Sequence, residues 1–143
     1  MIHAYDEVYL NDAMKCLGEA MDYAANSCQM NMDKFLELFI GTGYAEQFAV
    51  GVPKYVSGMS GTELVMDVLT KAGIVIDFPQ AQIDYSCSPQ YWCGWILAYY
   101  QWYTGRSFKE ILKHITMQEI EKLYPTLHEA SEKKFVDTVN RMI

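Results

Sequence analysis

Apolar positions recur along most of this chain at three- and four-residue spacing, the pattern of helices that each bury one face. In the second half they run Phe108, Ile111, Leu112, Ile115; then Ile120, Leu123, Tyr124; then Phe135, Val136, Val139, Ile143. Between and before these runs, a hydroxyl stands three residues ahead of a glutamate at Ser107–Glu110, Thr116–Glu119 and Thr126–Glu129. That spacing lets side chain and backbone satisfy each other's exposed N–H groups at a helix start. Ser60–Glu63 repeats it in the first half, where helices are predicted near 7–26, 32–40, 43–49 and 61–72, with Gly73 as a stop. Only Ile74–Phe78 looks strand-like, and a single five-residue run has no partner with which to form a sheet. The predicted class is all-α, a compact multi-helix domain over residues 1–143.

One segment departs from this alternation. The thirteen residues Tyr91–Tyr103 hold all three tryptophans and four of the tyrosines, inside a stretch from Tyr85 to Gly105 without any charge. Ser88-Pro89 reads as an N-cap followed by proline at the first helical position, and Gly105 as a left-handed stop. Between them Trp92, Trp95, Ile96, Tyr99 and Tyr103 form one stripe, and Tyr91, Ala98 and Trp102 another. A helix apolar nearly all round is buried on most sides. Trp92, Trp95, Ile96 and Tyr99 are therefore expected in the core, touching Phe35, Phe39, Ile111 and Phe135. The strongly apolar part falls short of the roughly twenty residues a membrane span needs. The acidic N-terminus does not read as a signal peptide, so a cytoplasmic protein without membrane association is expected.

Sliding the sequence against itself by 76 positions pairs Ala20 with Ile96, Tyr23 with Tyr99, and the candidate caps Asn31 and Ser107. Phe35 meets Ile111, Phe39 meets Ile115, Tyr44 meets Ile120 and Phe48 meets Tyr124; after a loop difference of about five residues, Val68 meets Val139. The implied architecture is two pseudo-repeated helical units, 1–73 and 88–143, joined by a linker 74–87 and sharing the aromatic helix as a common core.

Charge narrows the partners. The chain carries −7 overall, with −8 in residues 1–104 and +1 in residues 105–143. Such a balance repels phosphate backbones and removes the usual electrostatic term for nucleic acid. Helices on either side of Ile115-Thr116 have a helix-turn-helix outline, but the second offers Glu119 and Glu121 against a single Lys122, the wrong sign for a groove. An acidic face suits a basic protein partner.

Candidate chemistry is sparse. Cys16, Cys28, Cys87 and Cys93 show no CxxC spacing and read as buried free thiols, and His3, His114 and His128 are scattered. No metal site, cofactor or catalytic residue is expected. Gly58–Thr62 lacks the lysine of a phosphate-binding loop, and neither a Gly-x-Ser-x-Gly elbow nor a His-Glu-x-x-His motif occurs. The candidate binding residues are Tyr91, Tyr100 and Trp102, as aromatics beyond what a small core requires. Arg106 follows the aromatic helix. Lys54 and Tyr55 lie on the glycine-rich loop 51–60.

Met32–Phe48 and Phe108–Tyr124 resemble, in hydrophobic pattern, short helical bacterial proteins of unknown function associated with toxin–antitoxin-like gene pairs. The resemblance covers about half the chain and carries over no catalytic residue. It implies a regulatory, protein-binding role. The reading is a non-enzymatic binding domain, with a small-molecule-binding protein or enzyme using a pocket beside helix 88–104 as the alternative. In that alternative Arg106 or Lys54 holds an anionic group and tyrosines stack on a flat ligand. Whether the aromatics open onto a flat patch or a closed cleft discriminates the two.

Overall fold

The computed structural model describes residues 2–81 and 87–143, and the described chain is all-helical, without a strand. Asp6 caps a 3-10 turn, Glu7–Tyr9, that leads into α1 (Leu10–Asp22). The last turn of α1 widens into a π-helical stretch, Tyr23–Ser27, closed by Cys28 N–H donating to Tyr23 O at 2.9 Å. Next come α2 (Met32–Gly41), α3 (Tyr44–Ala49), α4 (Pro53–Val56) and α5 (Gly61–Lys71). The second half holds α6 (Pro89–Thr104), α7 (Phe108–Leu112), α8 (Met117–Lys122), α9 (Tyr124–Leu127) and α10 (Glu132–Met142). None of these is long and apolar enough to cross a membrane.

The caps follow the sequence at most starts. Asn31, Ser60, Ser88, Ser107 and Thr116 each accept a backbone N–H three residues ahead, and Ser60 and Thr116 form complete capping boxes. Thr126 does not open a helix as expected. It lies inside the short α9, which starts at Tyr124 with Pro125, lacking an N–H, in its first turn, and the Thr126 hydroxyl donates back to Leu123 O at 3.1 Å. The last helix is capped by Ser131. Ile74–Phe78 is not a strand: Gly73 turns left-handed (φ +79°), Ile74 N–H closes α5 onto Leu69 O, and no strand lies beside it. The linker expected over 74–87 is described as far as residue 81; residues 82–86 lie outside the described residues. The loop 51–60 carries one helical turn, α4, with Pro53 at its first position.

Helices α1 and α6 pack along each other at the centre, with α5 laid on α1 and α10 on α6; α2 touches α8, and α3 touches α7. The central pair is close because glycine stands at the crossing. A Cβ at Gly94 would lie 2.2 Å from the Leu17 carbonyl oxygen, whereas one at Gly18 would meet only the Tyr91 ring, at 3.0 Å. Around this pair Phe39 contacts Phe48 and Phe108 edge-on, and Trp92 meets Phe135 and Tyr124 the same way. Trp92 and Ile96 are buried as expected; Trp95 and Tyr99 pack against the core too but keep part of their surface open. The reason is angular. Gly94 faces α1 and Trp92 and Tyr100 face α10. At 100° per residue Trp95 and Tyr99 fall between those two covered sides.

Candidate aromatic binding surface

The half-open side of α6 is a continuous set of rings. Tyr99 and Tyr103 stack at 5.9 Å between centroids with a 25° interplanar angle, and Tyr99 lies 5.8 Å from Trp102. His3 stacks on Trp102 at 3.9 Å and lies 5.0 Å from Tyr103. The N-terminal segment is tied down there: Ala4 N–H donates to Trp102 O at 2.9 Å, the Trp102 indole donates to Tyr5 O at 2.8 Å, and His3 Nδ1 pairs with Tyr103 O at 3.0 Å. This strap seals Trp102 and leaves Trp95, Tyr99 and Tyr103 half-exposed. On the same segment Ile2 is 92% and Val8 73% exposed.

Charges frame the rings. Lys133 sits over Tyr103, its Nζ 5.6 Å from the ring centroid, while its ammonium is bonded to Asp137 Oδ1 at 3.0 Å. That hydrogen bond and the Asp137 charge hold the Lys133 ammonium above its ordinary value. Burial pushes the Tyr99 phenol up, and the negative field of Glu132 and, more weakly, Glu7 adds to it against Lys133. Beside the exposed rings the surface therefore presents two carboxylates and one cation already paired within its own helix.

The sequence-derived site residues divide. Tyr100 is 1% exposed and Trp102 3%, so neither reaches the surface as expected. Tyr100 faces α10, where its hydroxyl donates to Asn140 Oδ1 at 2.6 Å and accepts from Arg106 Nη1 at 3.3 Å. Arg106 is exposed, and that contact ties it to the end of the core. Tyr91 is half-buried, its ring spread across Gly18. Tyr55 packs edge-on to Tyr44 at 5.3 Å with Lys54 over its outer face at 5.4 Å, and α4 rests mainly on α1 and α3. Trp95, Tyr99 and Tyr103 went unassigned because i, i+4, i+8 spacing reads equally as a core stripe; only the placement of α10 decides which stripe stays open.

Cavities lie elsewhere. One of about 370 Å³ is lined by Lys15, Glu19, Asp22, Tyr23, Ser27 and Tyr91, among others. Its carboxylates already serve the fold: Asp22 accepts from Ser88 and Asn26, and Glu19 from Gly61 N–H at the start of α5. A shallower hollow of about 490 Å³ lies between Leu38, Thr42 and Lys71. Neither is lined by Trp95, Tyr99 or Tyr103.

All four cysteines are free; Cys16 and Cys93 are buried as expected, whereas Cys28 is only partly buried and Cys87 is exposed. Burial pushes the Cys16 and Cys93 thiols up to about 12, so neither is a nucleophile near neutral pH. Among the described residues no three His, Cys, Asp or Glu side chains converge to hold a metal ion. Comparison with known proteins finds no matching family model, no matching curated protein and no matching solved structure.

Proposed function

We propose that this chain is a protein-binding, regulatory module that acts through the half-exposed aromatic face of α6, without chemistry of its own. One observation carries the reading: Trp95, Tyr99 and Tyr103 share a partly exposed stripe, with Tyr99 and Tyr103 stacked, on the helix that is otherwise the spine of the core. Rings with few rotatable bonds bury large areas at low entropic cost and are the usual anchors of interfaces. A surface of this shape accepts another protein, whereas a metabolite needs a cleft with converging polar groups. The resemblance of Met32–Phe48 and Phe108–Tyr124 to helical proteins of toxin–antitoxin-like pairs supports the same role. The acidic balance argues against nucleic acid as the partner. The test is to capture partners with the tagged protein from its native cell, then with Tyr99→Ala and Tyr103→Ala after confirming that each folds. A specific partner lost by both variants supports the reading, and retention by both overturns it.

The small-molecule reading rests on the cavity lined by Lys15, Glu19, Ser27 and Tyr91, where the Ser27 hydroxyl is buried without a partner among the described residues. A thermal-shift screen that finds a metabolite, together with no captured protein, favours it.

We also read the two halves as copies of one helical unit. Several positions support this at the same 76-residue offset. Gly18 and Gly94 both stand at the central crossing, and Asn31 and Ser107 both cap the following helix. Gln29 and Gly105 both take left-handed backbone, at φ +56° and +73°. At an offset of 71, Ser60 and Ser131 cap two eleven-residue helices, α5 and α10. The reciprocal contacts α2–α8 and α3–α7 fit a two-fold relation between the halves.

A further inference from the structure

The chemistry around the open rings specifies what kind of segment fits them, on the premise that this face binds protein at all. Tyr99 and Tyr103 present half-exposed ring surface, and Tyr103 already holds one cation, Lys133, at 5.6 Å. That cation belongs to the chain itself and is engaged with Asp137. Glu132 opens α10 next to Lys133, whose Nζ lies over Tyr103, and Glu7 stands two residues beyond Tyr5, whose carbonyl accepts the Trp102 indole, so both carboxylates border this face. Neither has an ion-pair partner among those of the described residues. An aromatic face beside unpaired carboxylates attracts a cation twice, through the ring quadrupole and through direct charge. The guanidinium of arginine satisfies both, since its plane stacks on a ring while its edge donates to carboxylate. The long-range field has the same sign, because the whole chain carries −7. Ile2 and Val8, exposed on the adjoining strap, supply apolar contact for the neighbours of such a side chain.

We propose that the Trp95–Tyr99–Tyr103 face is a docking site for a basic segment of a partner protein, with an arginine seated over Tyr99 between Glu7 and Glu132. The test uses three short fluorescent peptides of equal length: one bearing arginines among apolar residues, one with each arginine replaced by glutamate, and one with each replaced by glutamine. Anisotropy titrations are run on the full chain, on Tyr99→Ala and on the surface double variant Glu7→Gln/Glu132→Gln. The arginine peptide is expected to bind, with affinity falling as salt rises. The double variant is expected to weaken it about tenfold and Tyr99→Ala at least as much, the loss typical of a desolvated charge pair or an anchor ring. Should Tyr99→Ala not fold, the double variant alone decides. Equal binding of the glutamine peptide, or unchanged affinity in the double variant, overturns the proposal. If no peptide binds but a captured native partner still loses affinity in Tyr103→Ala, the inference fails while the protein-binding role stands. If the captured partner is also indifferent to Tyr103→Ala, both fail.

Discussion

The two long helices occupy matching places in the fold and spend their surfaces differently. Helix α1 alternates apolar residues with Asn11, Asp12, Lys15, Glu19 and Asp22, and its polar side faces solvent or bonds to neighbouring elements, as Glu19 does to the start of α5. Helix α6 has no charged residue, yet α1 and α10 together cover only part of it. What remains partly open on α6 is aromatic, Trp95, Tyr99 and Tyr103; the same offset gives Glu19 on α1, then a buried Tyr23 and Ser27 in the π-helical stretch that follows it. At the first of these positions α1 carries the charged Glu19, where α6 carries Trp95. The proposed binding role rests on that contrast.

The sharpest way to break this contrast is to compare two tryptophans on α6. Trp92→Ala is expected to cost about 3–5 kcal/mol, because the ring is buried against Phe135 and Tyr124. Trp95→Ala is expected to cost less than that, about 1–2 kcal/mol, since part of its ring is already in water. Urea melts of both variants measure the difference, and equal losses would mean that the open stripe is core after all.

The crossing glycines set α1 against α6 directly. Gly94→Ala drives a methyl into the Leu17 carbonyl and is expected to cost about 3 kcal/mol, as a backbone clash that no rotamer relieves. Gly18→Ala meets only the Tyr91 ring, which can move, and is expected to cost about 1 kcal/mol. The same melts rank the two.

The buried thiols predict an alkaline limb. Cys16 on α1 and Cys93 on α6 are both raised from 9.0 to about 12. The folded chain thus keeps protons that the unfolded chain releases. Their contribution is complete below pH 9 and is lost as pH rises toward 12, by about 1.4 kcal/mol per pH unit for each thiol. Stability measured at about pH 8 and about pH 10 will show the fall, and Cys93→Ala will reduce the slope between them.

The smallest effect is at the ends of the two helices. Gln29 holds a left-handed conformation that costs a residue bearing a Cβ about 1 kcal/mol, so Gln29→Gly is expected to stabilise by up to that amount. Gly105→Ala at the matching place is expected to destabilise by about the same. Thermal melts of the pair check both signs.

Most helix starts were legible in the sequence because a capping hydroxyl or amide three residues before its N–H partner is a local interaction, and Asn31, Ser60, Ser88, Ser107 and Thr116 all behave so. Thr126 misled because Pro125 beside it is an equally local signal of higher rank. The exposure of Tyr100 and Trp102 was not legible. Tyr100 is buried by α10, thirty or more residues away, and Trp102 by a strap nearly a hundred residues upstream, so local periodicity carries no trace of either. For the same reason the open stripe was read as core: spacing identifies a face, and only tertiary packing says what covers it.

Hydroxyl-radical footprinting of the captured complex tests the central claim most directly, because it reads each aromatic side chain in the intact chain. The account predicts that Tyr99 and Tyr103 lose reactivity when the partner is bound while Tyr55 on α4 does not change. Protection of Tyr55 with Tyr99 and Tyr103 unaffected would contradict it and move the interface to α4.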